Sequence, residues 1–264
     1  MLTELNNSLI PARNALGSWA KSSMKTDWNI NPYEKIHVWD GLIFNFIHYR
    51  RYRNQDSLSA LDLGCGVGAQ LEAICDEARL YGLKTKISAI DKIPGNVDSV
   101  RKRLVRFSLD MSNIVIGDVT KKFPSGEYDL ITCFELIHWL TPKQIEKLFQ
   151  DVAQHLNQNG LFVLSYATKL NNALLRNHRG ELDIHRSSYQ DRPIHRFSHA
   201  CQTNMTFCDK NYLVNLGKAI GLDPLFYAES RNQYFPTCIK LNIPLMTSRF
   251  ESCETAFMGI FKTS

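Results

Sequence analysis

The sequence predicts an α/β protein built on a seven-stranded, mostly parallel sheet with helices on both faces. Between Leu58 and Tyr166, short apolar segments alternate with amphipathic segments of about 10 to 15 residues, which is typical of βαβ units. A glycine-rich turn at Gly64 to Gly68 follows the first apolar segment, and acidic residues follow the next two. We therefore divide the chain into a helical N-terminal cap over residues 1–54 and a larger domain over residues 55–264.

An amphipathic helix is expected at residues 34–53, ahead of the first strand. Its apolar side chains recur at steps of three and four residues, as they do on one face of a helix. They are Ile36, Trp39, Ile43, Phe46 and Ile47.

Three strands are expected at residues 58–63, 85–91 and 114–116, each short and apolar. A helix follows the glycine-rich turn. A second helix follows the second strand and begins at Pro94, where the missing N–H of proline costs little.

A fourth strand at residues 128–134 and a fifth at residues 161–166 flank another helix. Thr141 and Gln144 fit a capping box at the start of that helix. The Asn159-Gly160 pair is expected to end it by supplying a left-handed conformation.

A long polar insertion rich in histidine and arginine follows at residues 168–206. Connections of that length are usually functional or have local structure of their own. A helix at 209–220, closed by Gly221, and strands at 225–229 and 255–262 complete the domain.

The composition is that of an ordinary globular protein. The chain has 264 residues, 44% hydrophobic and 22% charged, which excludes disordered, collagen-like and coiled-coil chains. No segment has the roughly 18 apolar residues of a membrane span, and the first residues lack a secretory signal. Seven scattered cysteines fit a reduced, cytoplasmic protein better than a disulfide framework.

The net charge of +5 is too small to indicate a dedicated nucleic-acid domain. Two basic clusters, at residues 48–53 and 101–106, carry more local charge than the rest of the chain. Each cluster is either a solvated helix face or a patch that contacts phosphates.

The glycine-rich turn is the strongest functional signal. Gly64, Gly66 and Gly68 follow a Gly-x-Gly-x-Gly spacing, whereas dinucleotide sites favour Gly-x-Gly-x-x-Gly. Asp62, two residues before the first glycine, would repel a pyrophosphate. A carboxylate at this position suits a ligand that carries an ammonium and a sulfonium.

In these features the chain resembles the class I S-adenosylmethionine-dependent methyltransferases, which have a Rossmann-like fold. The resemblance implies S-adenosylmethionine as cofactor and S-adenosylhomocysteine as product. It extends from about Leu58 to Tyr166, with Asp91 at the ribose position, Lys92 and Ile93 beside the adenine, and Asp118 at the adenine amino group. The full implied cofactor set is Asp62, Gly64, Cys65, Gly66, Gly68, Asp91, Lys92, Ile93, Asp118, Val119 and Phe134.

The methyl acceptor is expected just past the fourth strand, where Glu135 and His138 are the candidate catalytic residues. His138 is either a general base or a packing and hydrogen-bonding residue. The insertion is expected to form a substrate lid, and the N-terminal helix is expected to cap the cofactor from the other side. The candidate substrate-binding residues are Tyr33, Trp39, Trp139, Tyr166, Arg186 and Arg196.

No metal is expected. Small-RNA 2′-O-methyltransferases place two Glu and two His around a metal at the acceptor site, but Ile137 stands where this chain would need a further ligand. His195 and His199 have no second spaced pair to complete a zinc site.

The sequence thus predicts a methyltransferase acting on a small molecule at O or N by in-line displacement. Three alternatives stay open: a methyltransferase acting on RNA or protein, a nicotinamide-dependent oxidoreductase, and a non-catalytic protein that binds the cofactor. No membrane partner is expected, and the sequence does not determine the oligomeric state.

Overall fold

The computed structural model describes residues 38–167, 192–198, 203–231 and 254–262. Five α-helices lie in these ranges: α1 (Val38–Tyr52), α2 (Ala69–Leu80), α3 (Pro94–Leu104), α4 (Pro142–His155) and α5 (Lys210–Ala219). The strands are β1 (Ser57–Leu63), β2 (Lys84–Asp91), β3 (Ile114–Ile116), β4 (Tyr128–Cys133), β5 (Leu156–Ala167), β6 (Ile194–Ser198), β7 (Thr203–Phe207), β8 (Leu222–Arg231) and β9 (Glu254–Lys262).

The main sheet has the strand order β3-β2-β1-β4-β5-β9-β8. The first five of these are parallel, whereas β9 pairs antiparallel with both β5 and β8. The prediction of a Rossmann-like α/β fold with a parallel sheet is therefore confirmed over five strands. β6 and β7 form a separate antiparallel pair within the predicted insertion.

The sheet reverses its order between β1 and β4, because β2 and β3 lie on one side of β1 and β4 and β5 on the other. In doubly wound folds, ligands bind at the carboxyl ends of the strands beside such a reversal. The glycine turn after β1, Asp91 at the end of β2 and Glu135 after β4 all lie at this edge.

Two hydrophobic cores cover the two faces of the sheet. Side chains of α1, α2 and α3 pack on one face, and side chains of α4 and α5 pack on the other. The periodic residues Ile43, Phe46 and Ile47 of the first helix are buried, as their spacing predicts.

An ion pair anchors α1 at the opposite, amino edge of the sheet. Arg50 Nη1 lies 3.0 Å from Asp129 Oδ1, and both side chains are largely buried. Asp129 also accepts the Ser59 N–H at 2.9 Å and the Asn157 amide at 2.9 Å. The pair therefore joins α1 to β1, β4 and β5.

The capping box predicted at the start of α4 is confirmed, whereas the end predicted at Asn159-Gly160 is wrong. Thr141 and Gln144 make both bonds of the capping box. The helix stops at His155, however, and residues 156–160 already belong to β5. Asn159 adopts the left-handed conformation (φ +61°), and an added Cβ at Gly160 would lie 2.7 Å from the Asn157 carbonyl. The pair thus shapes a β-strand beside a register shift against β4 rather than ending a helix.

Among the described residues, no helix has the length and apolar character that crossing a membrane requires.

Candidate active site

The glycine turn between β1 and α2 presents backbone to open space. Gly64, Gly66 and Gly68 all have positive φ, a conformation that costs glycine little. Gly64 packs against Leu136 and Gly68 against Val100, since added Cβ atoms would approach those side chains to 3.2 Å and 2.9 Å. A Cβ at Gly66 would meet nothing within 4 Å, so this position is open to a ligand.

Asp91, at the end of β2, is hydrogen-bonded to the turn. Its Oδ2 accepts the Gly66 N–H at 2.9 Å, and its Oδ1 accepts the Ile93 N–H at 2.8 Å and the Asn96 amide at 3.2 Å. Asn96 was not predicted as a site residue, although the sequence places it in the first turn of the helix after Asp91. Each carboxylate oxygen can accept about two hydrogen bonds, so Oδ2, which accepts one, keeps capacity for a hydroxyl group.

An apolar face lies next to Asp91. Ile93 is 51% exposed and Ile116, which is in register with Asp91 on β3, is 53% exposed. Exposed isoleucines at neighbouring strand ends suit a flat heteroaromatic ring. Ile93 was predicted to lie at this site, whereas Ile116 was not, because no sequence motif surrounds it.

Asp118 and Val119 follow β3. Asp118 Oδ1 accepts the Thr120 N–H at 2.9 Å and the Thr120 hydroxyl at 2.7 Å, and these bonds lower the pKa of the carboxyl. Val119 is buried, whereas the Lys92 side chain is exposed.

Asp62 is buried at 3% exposure beneath the glycine turn. Burial raises the pKa of its carboxyl to about 7, although the Thr132 hydroxyl donates to Oδ1 at 2.8 Å and opposes the rise. A cation bound beside Asp62 would favour its ionised form. Cys65 and Phe134 line the same region, Cys65 buried and Phe134 partly buried against the core of α1, α2 and α3.

Glu135 begins the connection after β4 in an unusual backbone conformation, with φ +54°. Ser165 on β5 fixes it twice: the Glu135 N–H donates to Ser165 Oγ at 2.8 Å, and that hydroxyl donates to Glu135 Oε1 at 3.1 Å. Burial raises the pKa of the Glu135 carboxyl to about 7. The site therefore holds a half-buried carboxylate that exchanges a proton near neutral pH.

His138 and Trp139 occupy a short 3₁₀ turn, Ile137–Trp139. His138 is 4% exposed, and burial lowers the pKa of its imidazole to about 4, so the ring is neutral at pH 7. Its ring centroid lies 4.8 Å from that of Trp139, which is 46% exposed. The burial and low pKa of His138 favour its packing interpretation over its interpretation as a base.

The β6–β7 hairpin is bonded to this turn. The buried Thr206 hydroxyl donates to the Leu140 carbonyl, directly after Trp139. With its proton committed there, Thr206 Oγ1 accepts from His195 Nδ1 at 2.7 Å. The part of the insertion that the structure describes thus contacts the acceptor side of the site.

The structure describes the remaining predicted substrate residues to different extents. Tyr166 is 1% exposed on β5. Trp39 and Arg196 lie on α1 and β6, where the backbone alone is described. Tyr33 and Arg186 lie outside the described residues.

The basic cluster at residues 101–106 is largely used within the fold. Arg101 donates to the Ile114 carbonyl at 2.8 Å, Arg103 pairs with Glu72, and Arg106 pairs with both Glu72 and Asp76. Because these arginines are bonded to groups of the protein, a phosphate-contacting patch is the less favoured of the two interpretations of this cluster.

A polar groove of about 790 Å³ lies at the amino edge of the sheet, lined by Arg50, Asp129 and Lys262 among others. Arg50 is paired with Asp129, and Lys262 Nζ donates to the carbonyls of Ala153 and Leu156. The groove lies at the edge of the sheet opposite the glycine turn. Both of these cations bond to groups within the fold.

Residues 60–160 match the family described as a methyltransferase domain. A carboxy-S-adenosyl-L-methionine synthase from Erwinia tasmaniensis is 27% identical over 123 residues, which cover 47% of this chain and 49% of that protein. A dTDP-4-amino-2,3,4,6-tetradeoxy-D-glucose N,N-dimethyltransferase from Saccharopolyspora spinosa is 28% identical over 152 residues, covering 54% and 56%. The chain thus spans about half the length of these curated relatives.

Among solved structures, magnesium protoporphyrin IX methyltransferase from Synechocystis PCC 6803, with bound S-adenosylhomocysteine, has a similar fold. The TM-score is 0.56 at 12% sequence identity, and the match covers 95% of this chain and 96% of that one. Together with the domain match, this similarity confirms the predicted resemblance to class I methyltransferases.

Proposed function

We propose that this chain, which carries a class I S-adenosylmethionine-dependent methyltransferase domain over residues 60–160, transfers a methyl group to a small-molecule acceptor at O or N. The observation that carries the proposal is the Glu135 carboxylate, held by Ser165 beside the glycine turn with a pKa of about 7. Leu136, the next residue, packs on Gly64, so the acceptor side adjoins the cofactor side.

The residues present fit S-adenosylmethionine. The open space at Gly66 admits a ligand against the backbone, Asp91 Oδ2 retains capacity for a ribose hydroxyl, and Ile93 offers an exposed apolar surface for the adenine. Asp62 supplies the negative charge that would attract the cationic methionine part. Gly64, Cys65, Gly68, Lys92, Asp118, Val119 and Phe134 complete the proposed cofactor site.

When bound, S-adenosylmethionine supplies a methyl carbon on a positively charged sulfur, which leaves as a neutral thioether. The protein's task is to align the acceptor in line with the C–S bond and to exclude water, and such alignment can supply most of the rate. Transfer to the acceptor O or N would thus need no further group from the protein except one that takes up a proton. Glu135 accepts the proton that an alcohol or ammonium acceptor must lose.

Two observations support a small acceptor. The curated relative from Saccharopolyspora spinosa is described as acting on a nucleotide-linked amino sugar, which is a small molecule. The β6–β7 hairpin of this chain is bonded to the turn that carries His138 and Trp139, as expected for a pocket closed by the chain itself. A macromolecular acceptor is less favoured, because Arg101, Arg103 and Arg106 are engaged within the fold.

Calorimetric titration with S-adenosylhomocysteine tests the cofactor part of the proposal. We expect micromolar binding by the wild type and binding at least about tenfold weaker for Asp91→Ala, because a hydrogen bond to a charged acceptor contributes about 1.5–3 kcal/mol. A wild type that does not bind would overturn the proposal.

Screening small alcohols and amines for formation of S-adenosylhomocysteine tests the acceptor class. If RNA or protein is methylated and no small molecule is, the alternative of a macromolecular acceptor would be favoured.

A further inference from the structure

Arg103 contacts the glycine turn from outside the motif. It lies on α3, and its Nε donates to the Val67 carbonyl at 3.0 Å. Its Nη1 pairs with Glu72 in the first turn of α2, and the side chains of both residues are only 13% exposed. One guanidinium thus bonds both the turn and the helix that the turn starts.

A second contact on the same face of α3 reinforces this one. Val100 lies three residues before Arg103, so both side chains point to the same side of the helix. Val100 packs directly on Gly68, where an added Cβ would come within 2.9 Å of its Cγ2 atom. α3 therefore holds two consecutive residues of the turn, Val67 by a hydrogen bond and Gly68 by packing.

The same helix starts directly after the ribose side of the site. Its N-cap is Ile93, and Asn96 in its first turn donates to Asp91. The hydrogen bond from Arg103 to Val67 consequently couples the methionine side of the proposed cofactor site to its ribose and adenine side across the α2–α3 interface.

We infer that Arg103 is a positioning residue for the cofactor, which holds the glycine turn in its binding conformation through the Val67 carbonyl. The inference rests on the proposed function. A turn that samples other conformations lowers the fraction of protein competent to bind, and the apparent dissociation constant rises in inverse proportion to that fraction.

Arg106 provides a matched control. It is also an arginine of the 101–106 cluster, and its Nη2 pairs with the same Glu72 and with Asp76. These ion pairs reach α2 and not the turn. Loss of Arg106 removes ion pairs between α2 and the segment directly after α3 but leaves the bond to Val67 in place.

The experiment is calorimetric titration of S-adenosylhomocysteine into wild type, Arg103→Met, Arg103→Lys and Arg106→Met, with thermal melting of each ligand-free protein. We expect the two Arg103 variants to bind about tenfold more weakly, since lysine keeps the charge near Glu72 but has a single nitrogen in place of the separate Nε and Nη1 that contact Val67 and Glu72. Arg106→Met should bind within about twofold of wild type. With an identified acceptor, the Arg103 variants should raise the KM for S-adenosylmethionine and leave kcat unchanged.

Unchanged binding by Arg103→Met, or equal weakening by Arg106→Met in variants that melt alike, would overturn the inference. An absence of binding by the wild type would instead overturn the proposed function, and the inference with it.

Discussion

At the scale of single residues, the acceptor side combines two ionisable groups whose pKa values are shifted in opposite senses. Burial raises the pKa of Glu135 to about 7 and lowers that of His138 to about 4. A base is most effective when its pKa lies near the working pH. Glu135 therefore fits the role of proton acceptor, and His138 fits that of an uncharged residue that packs beside Trp139.

Glu135→Gln should lower kcat by about 100-fold or more, because the amide cannot accept the acceptor's proton. In the wild type, kcat at saturating cofactor should rise with pH through about 7, since Glu135 must lose its own proton first. The variant's residual rate should not depend on pH in that range. The measurement is a kcat–pH profile on the acceptor found by screening, and a variant with wild-type turnover would remove Glu135 from the chemistry.

Local signals in the sequence were sufficient to predict the glycine turn and the capping box at Thr141, since both depend on neighbours a few residues away. Asp91 was predicted from the family resemblance, and its bond to Gly66 spans 25 residues of the chain. Ser165, Arg103 and Thr206 were not predicted, because each acts on a partner 30 or more residues away in the chain. The end of α4 was misplaced for a related reason: Leu156 already pairs with Tyr128 of β4, and residues 157–160 lie in the register shift that follows.

At the scale of elements, the β6–β7 hairpin and the 3₁₀ turn Ile137–Trp139 are joined by the buried Thr206 hydroxyl. The bond fixes the hairpin relative to the residues expected to face the acceptor. A misplaced hairpin should weaken binding of the acceptor more than binding of the cofactor, because the glycine turn lies on the other side of β4.

Thr206→Val, which keeps the shape and removes the hydroxyl, should lower kcat/KM for the acceptor by about tenfold. The Leu140 carbonyl would lose its donor, and leaving such a buried group unpaired costs about 1–3 kcal/mol of stability. Affinity for S-adenosylhomocysteine should stay at the wild-type value. Thr206→Ser restores the hydroxyl and should recover the acceptor kinetics; kinetics as poor as those of the valine variant would contradict the role of this bond.

At the scale of the whole molecule, the Arg50–Asp129 pair holds α1 against three strands at the edge opposite the proposed active site. Breaking a largely buried pair by removing one partner costs about 3 kcal/mol or more. Arg51 offers the comparison, since its pair with Asp56 is exposed.

Arg50→Met should therefore lower the Tm by roughly 6–12 °C, at about 2–4 °C per kcal/mol for a protein of this size. Arg51→Met should lower it by no more than roughly 4 °C, because exposed pairs contribute about 0–1 kcal/mol. Differential scanning calorimetry at neutral pH measures both. Similar melting temperatures for the two variants would show that the helix is held by its apolar face alone.

The strand order also affects how the chain folds as it is synthesised. β9 comes after β8 in the chain, yet it lies between β5 and β8 in the sheet and pairs with both. While the ribosome is still adding residues before 254, one edge of β5 has no neighbour, and unpaired edges invite association with other chains. The sheet can thus grow outward from β1 as residues emerge, but its antiparallel side closes only when β9 is released. A nascent chain stalled before that point would be a natural client for chaperones.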